Sequence, residues 1–342
     1  MDFTEYIDLA AERLGGRVVA ANDEFFAPKE NLLKAAAPVW IADKYTEVGK
    51  WMDGWETRRR RTPGYDWCIV KLGLPGMVHG AIVDTAYFKG NFPEQCELES
   101  CAVDSDPSSE RLEDAAATSW STLLPKSPLA GDTQNRFTVS CANRITHLRL
   151  KIHPDGGVAR LRVHGEVIPD WAAIEKGVAR KGGEIDLAAV EHGGLVIDSS
   201  DMFFGSRNNL ILPGRSTGMH DGWETRRRRG PGHDWCVVRL GATGAIRRVE
   251  VDTSHFKGNF PESCSLEVCH AAPDILDSSA LASLPWKQIL PRTKLKADSL
   301  HVYEKEILAV GEATHARFHI YPDGGVARLR LFGTLARKPA QQ

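Results

Sequence analysis

The chain has 342 residues, about two domains by length, and 42% of them are apolar, enough to build cores. Its 43 Lys and Arg face 45 Asp and Glu, a formal charge of −2, without the basic excess of a dedicated nucleic-acid binder. No run reaches the roughly 18 apolar residues of a membrane span, and the acidic start Met1–Tyr6 has no basic n-region or apolar h-region, so a cytoplasmic protein is expected.

In chain order, residues 2–14 read as a short helix. Phe3, Ile7, Ala10 and Leu14 share a helical face, Asp2 with Glu5 fits a capping box, and Gly15-Gly16 stops it. Ile7-Asp-Leu-Ala-Ala11 returns as Ile185-Asp-Leu-Ala-Ala189, and Asp23-Glu-Phe-Phe26 as Asp201-Met-Phe-Phe204, both 178 positions later. Asp53-Gly-Trp-Glu-Thr-Arg-Arg-Arg-Arg61 returns as Asp221–Arg229, now 168 positions later. Over 53–73, 17 of 21 residues match their partners. The first repeat therefore carries ten extra residues within 33–52, and a surface loop suits them, covering the other repeat or a neighbouring subunit.

Asp66–Leu72 is mostly apolar, as a strand buried on both faces would be. Val249, Val251, Thr253 and His255 alternate with polar neighbours, so they share one inward face. Phe88–Glu94 and Phe256–Glu262 are identical loops marked by Gly-Asn and Pro, and Cys96–Cys101 follows as a strand. Each repeat closes on what reads as a hairpin: Leu148, Leu150 and Ile152 alternate, Pro154-Asp-Gly-Gly157 turns, and Val158–His164 returns. Residues 1–165 thus form repeat 1, 166–184 a linker, 185–335 repeat 2 and 336–342 a tail. Two all-β sandwiches, each opened by a short helix, are expected.

The seven cysteines, without a signal peptide, suggest reduced, buried thiols. The twelve histidines show no ligand spacing repeated in both copies. His315 and His319 on one strand would stand about 13 Å apart. No protein-built metal site and no cofactor is expected; only a loosely held divalent ion stays open. The phosphate-loop, nucleophile-elbow and zinc-protease patterns are missing.

Four phrases, each present twice and in the same order, go further. Gly-Trp-Glu-Thr-Arg-Arg, Asp-Trp-Cys-Ile/Val-Val-Lys/Arg-Leu-Gly, Asp-Thr-x-x-Phe-Lys-Gly-Asn-Phe-Pro-Glu and Pro-Asp-Gly-Gly-Val-Ala-Arg-Leu-Arg resemble the allantoicase family over nearly the whole chain. The resemblance implies two tandem jelly-roll sandwiches, similar to galactose-binding domains. It also implies hydrolysis of allantoate to ureidoglycolate and urea in purine breakdown. A homo-oligomer is expected, and charge and hydropathy speak against nucleic-acid or membrane partners. The family's Asp-Thr-x-His-Phe is kept at His255, whereas repeat 1 has Tyr87.

Cutting one C–N bond of allantoate needs an anion holder, a proton for the departing nitrogen and a base for water. Arg binds carboxylates bidentately, and His or a pKa-shifted carboxyl moves protons. The expected set lies on repeat 2: His255, oriented by Glu224 or Asp252, for proton transfer; Arg226 or Arg228 for the carboxylate; Lys257 and Asn259 for the ureido groups. Plainer readings stand beside these. Arg226 and Arg228 suit a salt-bridged surface, Glu224 an arginine partner, Asp252 a loop cap, and His255 a satisfied core histidine. A non-catalytic small-molecule or sugar-binding tandem is the competing function.

Overall fold

The structure is a computed structural model; it describes residues 2–103, 107–114, 117–180, 183–272, 275 and 278–336. The chain divides into two compact units, Met1–Ile168 and Pro169–Gln342. The first holds β1 (Ile7–Asp8), β2 (Arg17–Ala21), β3 (Tyr45–Thr46), β4 (Gly49–Lys50), β5 (Trp55–Glu56), β6 (Asp66–Asp84), β7 (Gln95–Cys101), β8 (Ser121–Pro128), β9 (Gln134–Thr138), β10 (Ile145–His153), β11 (Gly157–Val158) and β12 (Arg160–Val167), with a short helix α1 (Ser109–Glu113). Helix α2 (Trp171–Arg180) follows, inside the stretch 166–184 read as the linker. The second unit holds β13 (Ile185–Asp186), β14 (Leu195–Ser199), β15 (Trp223–Glu224), β16 (Asp234–Asp252), β17 (Ser263–Cys269), helix α3 (Ser278–Ala282), β18 (Lys287–Lys294), β19 (Leu300–Tyr303), β20 (Ala313–Tyr321), β21 (Gly325–Val326) and β22 (Arg328–Leu335).

Each unit is a jelly-roll sandwich strung on one 19-residue strand. The first half of β6 runs between β2 and β10, and β10 leads on to β7 and β8. Its second half runs between β9 and β12, with β1 beyond. The same strand therefore serves both layers, and it changes layer near Gly73–Gly76. Glycine is required there: a Cβ on Gly73 would lie 2.6 Å from the Leu14 carbonyl oxygen, and one on Gly76 2.1 Å from that of Glu166. Their partners Gly241 and Gly244 are pinned in the same way. The apolar segment at 66–72 and the alternating one at 76–84 are thus two halves of one strand, periodic according to what covers each half.

Between the layers lie Leu98, Leu148, Leu150, Val83 and Leu161 in repeat 1, all fully buried. Trp55 and Trp223 close the end of each core, and each indole N–H donates to a backbone carbonyl, Asp23 or Asp201, at 2.8 Å. Beside them run two buried ion pairs, Arg160–Asp53 and Arg328–Asp221.

Two local expectations are corrected. Residues 2–14 are not an α-helix but two 3-10 turns, Phe3–Glu5 and Glu12–Leu14, either side of β1. The Asp8 carboxylate takes the N–H groups of Ala10 and Val163, and Leu9 N–H donates to Val163 O. Pairing with β12 thereby outcompetes helical bonds whose apolar spacing was right. Repeat 2 does the same with Asp186. Nor do β10 and β12 form a hairpin. Each pairs with a different half of β6, and the Gly157–Val158 turn pairs with β5 instead. Alternation showed the strands correctly but carried no information on their partners.

All seven cysteines are free thiols, and all but Cys141 are buried. Burial pushes Cys96 and Cys264 up to about 12 and Cys101 and Cys269 to about 11. None of these four is a poised nucleophile by this measure. Among the described residues no helix is long and apolar enough to cross a membrane.

Candidate functional site

The Glu of each Glu-Thr-Arg phrase stands at one end of its sandwich. In repeat 1, β5 pairs with β11 and also bridges to Ala27, which fixes the Glu56 backbone from both sides. Gly157 lets Phe88 pass, since a Cβ there would lie 1.9 Å from that ring. The identical 88–94 loop then brings Asn91 over the carboxylate. Its side-chain N–H donates to Glu56 Oε1 at 2.7 Å, and its backbone carbonyl accepts from Gly157 N–H. Repeat 2 builds the same arrangement: Asn259 donates to Glu224 Oε1 and accepts from Gly325 N.

The surroundings of these two pairs differ. In repeat 1 the extra residues fold over the end of their own sandwich, where β3 and β4 form a small hairpin. Arg160 Nε anchors the strap at the Ala36 carbonyl, and Val39 N–H donates to Asp53. The result is a pocket of about 590 Å³ between Glu56, Asn91, Lys89 and Tyr87 below and Trp40, Lys50 and Met52 from the strap. Trp40 and Tyr87 face each other at 6.1 Å and 27°. Lys50 lies 4.6 Å over the Trp40 ring and donates to the carbonyls of Ile41 and Ala42. Burial raises the Glu56 carboxyl above its ordinary pKa, with the Asn91 bond opposing.

Repeat 2 has only the shorter segment 211–220 at this place. Its Glu224–Asn259 pair opens on a polar cleft of about 750 Å³ with Arg227, Arg228, Lys294 and Asp323. The structure thus brings Glu224, Arg228 and Asn259 to one cleft. The other expected residues do not line it. Arg228 is also tied to Asp234, and its backbone N–H to Asp323. Arg226 is held by Asp201 at 2.9 Å and lies over Phe203. Asp252 is buried and caps the turn at Ser254 N–H. Lys257 is 81% exposed, with Asp298 at 4.0 Å.

His255 does not lie on the inward strand face. The strand ends at Asp252, and His255 sits at φ +72° in the following turn, where its N–H donates to Asp298. Tyr87 repeats this left-handed conformation at φ +68°, held by Asp132. Both are unfavourable for a residue with a side chain and are kept by the loop around them. The His255 ring donates from Nε2 to the Ser216 carbonyl at 3.0 Å. Its expected contacts with Glu224 and Asp252 are not among the hydrogen bonds of the described residues.

Sequence reading missed two sets of residues. The strap residues Trp40, Lys50 and Met52 gave no signal beyond the insertion itself. The second set is on the outer face of repeat 2, where His233 bonds to His319 at 2.9 Å and His319 to Glu267 at 2.9 Å. The repeat alignment shows that these histidines replace Tyr65 and Lys151, but not that they meet. Among the described residues no group of three or more His, Cys, Asp or Glu is placed to hold a metal ion.

The allantoicase-repeat family model matches residues 7–168 and again 185–336. The chain belongs to the allantoicase family. It is 46% identical to an allantoicase of Dictyostelium discoideum over 96% of this chain and 87% of that protein. A probable allantoicase of Pseudomonas aeruginosa is 45% identical over 97% of both chains. The crystal structure of allantoicase from Saccharomyces cerevisiae is similar, with a TM-score of 0.78 and 35% identity over 96% of this chain and 93% of that one. In family terms, the two allantoicase repeats of this chain share a Glu–Asn pair and differ in what encloses it.

Proposed function

We propose that this chain hydrolyses allantoate to ureidoglycolate and urea, acting on a linear C–N bond. The observation that carries the reading is 46% identity to an allantoicase over 96% of the chain. The geometry supports it. Each repeat presents a carboxyl beside a side-chain amide at the mouth of a cavity with cationic side chains, Lys50 and Lys89 in one, Arg227, Arg228 and Lys294 in the other. A carboxyl moves protons, an amide holds a ureido group, and a cation holds the substrate carboxylate. A non-catalytic binding tandem has no comparable support, because the pockets combine titratable groups with anion holders rather than exposed aromatic platforms alone.

The test is direct. Purified protein is incubated with allantoate between about pH 6 and 9, with and without Mn²⁺, and urea and glyoxylate are assayed. Urea release above the blank is expected. No release under any condition refutes the reading and favours the binding tandem.

A further inference from the structure

We propose that the strapped pocket of repeat 1 is where allantoate is cut, with Glu56 exchanging the protons and Trp40 fixing the substrate. This rests on the allantoate reading and adds its location. Three observations carry it. The strap is present in repeat 1 alone, and it places Trp40, Lys50 and Met52 around Glu56. Trp40 is half-exposed and lines the same cavity as Glu56 and Asn91, so a flat aromatic surface stands within one ligand's reach of a carboxyl and an amide. Lys50 and Lys89 line the same cavity and supply cations for the substrate carboxylate.

Burial supports the chemistry, since it keeps a fraction of Glu56 protonated nearer neutrality than an exposed glutamate. The balanced step is as follows. The Glu56 carboxyl gives its proton to the departing ureido nitrogen. The C–N bond breaks with its electron pair leaving on urea, and the lone pair of the remaining ureido nitrogen stabilises the carbon. Water adds to that carbon and returns a proton to Glu56. One water is consumed, and Glu56 ends as it began. Its bond from Asn91 orients the carboxyl through both transfers.

The experiment compares Glu56→Gln, Glu224→Gln and Trp40→Ala in the full chain, with melting temperature as the folding control. Glu56→Gln is expected to lower kcat by about 10²- to 10⁴-fold. It should also remove the decline of kcat/KM on the alkaline side that an acid with a raised pKa produces. The loss in Glu224→Gln should be at least about tenfold smaller than that. Trp40 is half-exposed, so its replacement should fold; KM is expected to rise by about five- to tenfold, from lost stacking. A loss in Glu224→Gln equal to or greater than that in Glu56→Gln overturns the assignment to repeat 1. So does an unchanged KM in Trp40→Ala. Both leave allantoate hydrolysis standing. A wild-type chain that releases no urea overturns the reading beneath, and this location with it.

Discussion

Asp53 with Arg160, and Asp221 with Arg328, join two of the duplicated phrases across more than a hundred residues. Both guanidinium groups are within a few per cent of full burial, and each also donates to the backbone carbonyl of its aspartate. Such a pair tolerates no single loss, because the surviving charge is left buried alone. Where the repeats differ, charge handling differs too. Repeat 1 sets Lys151 against Glu99 at 2.6 Å, while repeat 2 sets His319 against Glu267 and His233 against His319. Burial holds both imidazoles below their ordinary pKa; for His319 the Glu267 contact opposes this. The unfolded chain then takes up these protons first as the pH falls. The stability linked to the pair is complete above about pH 6.5, the unfolded value, and is lost as the pH drops below it. The double variant His233→Tyr with His319→Lys restores the repeat 1 pairing. Its melting temperature should fall less between pH 7 and 5 than that of the wild type. An equal fall would show that the two histidines do not titrate in this way.

The long strands β6 and β16 show how an element can depend on two residues. Each joins two layers, and each needs glycine where a neighbouring backbone crosses it. A Cβ on Gly241 would lie 2.0 Å from the His192 carbonyl oxygen, a backbone atom that cannot rotate away. Gly241→Ala is therefore expected to destabilise repeat 2 by about 1–3 kcal/mol or more, read as a lower denaturant midpoint with unchanged slope. A midpoint within error of the wild type would show that the crossing is looser than described. The strap is an element of another kind. Residues 41–48 are exposed, whereas Ala36 and Val39 are tied to Arg160 and Asp53. Deletions that reach Ala36 therefore remove a partner of a buried cation, which a loop outside the sandwich would not have supplied.

At the scale of the whole molecule, each unit encloses its own core and repeats the same strand order. The order β1-β12-β6-β10-β7-β8 returns as β13-β22-β16-β20-β17-β18. A fragment of residues 183–336 should consequently fold by itself and melt cooperatively. A broad, non-cooperative melt would show that repeat 2 needs repeat 1. On the proposed location of the chemistry this fragment binds allantoate without releasing urea.

Much of this was legible in the residues themselves. Two copies of long phrases in one order determine a tandem, and period-two alternation determines strands, because both follow from local geometry that needs no partner. The Glu and Asn that pair in each repeat both stand in its duplicated phrases. The tertiary structure alone decided which of them meet. Glu56 and Asn91 are 35 residues apart and are joined by a loop whose path depends on Phe88 packing past Gly157. His255 continued an alternating pattern, yet hydrogen bonding to Asp298 ended the strand three residues earlier. Residues 2–14 kept a helical spacing that pairing with β12 overrode. The strap had no partner in repeat 2 to be read against, so its place over Glu56 could come only from packing. Spacing along a chain encodes which face a side chain takes; the contacts that make a site depend on which distant faces are brought together, and that is settled by the core.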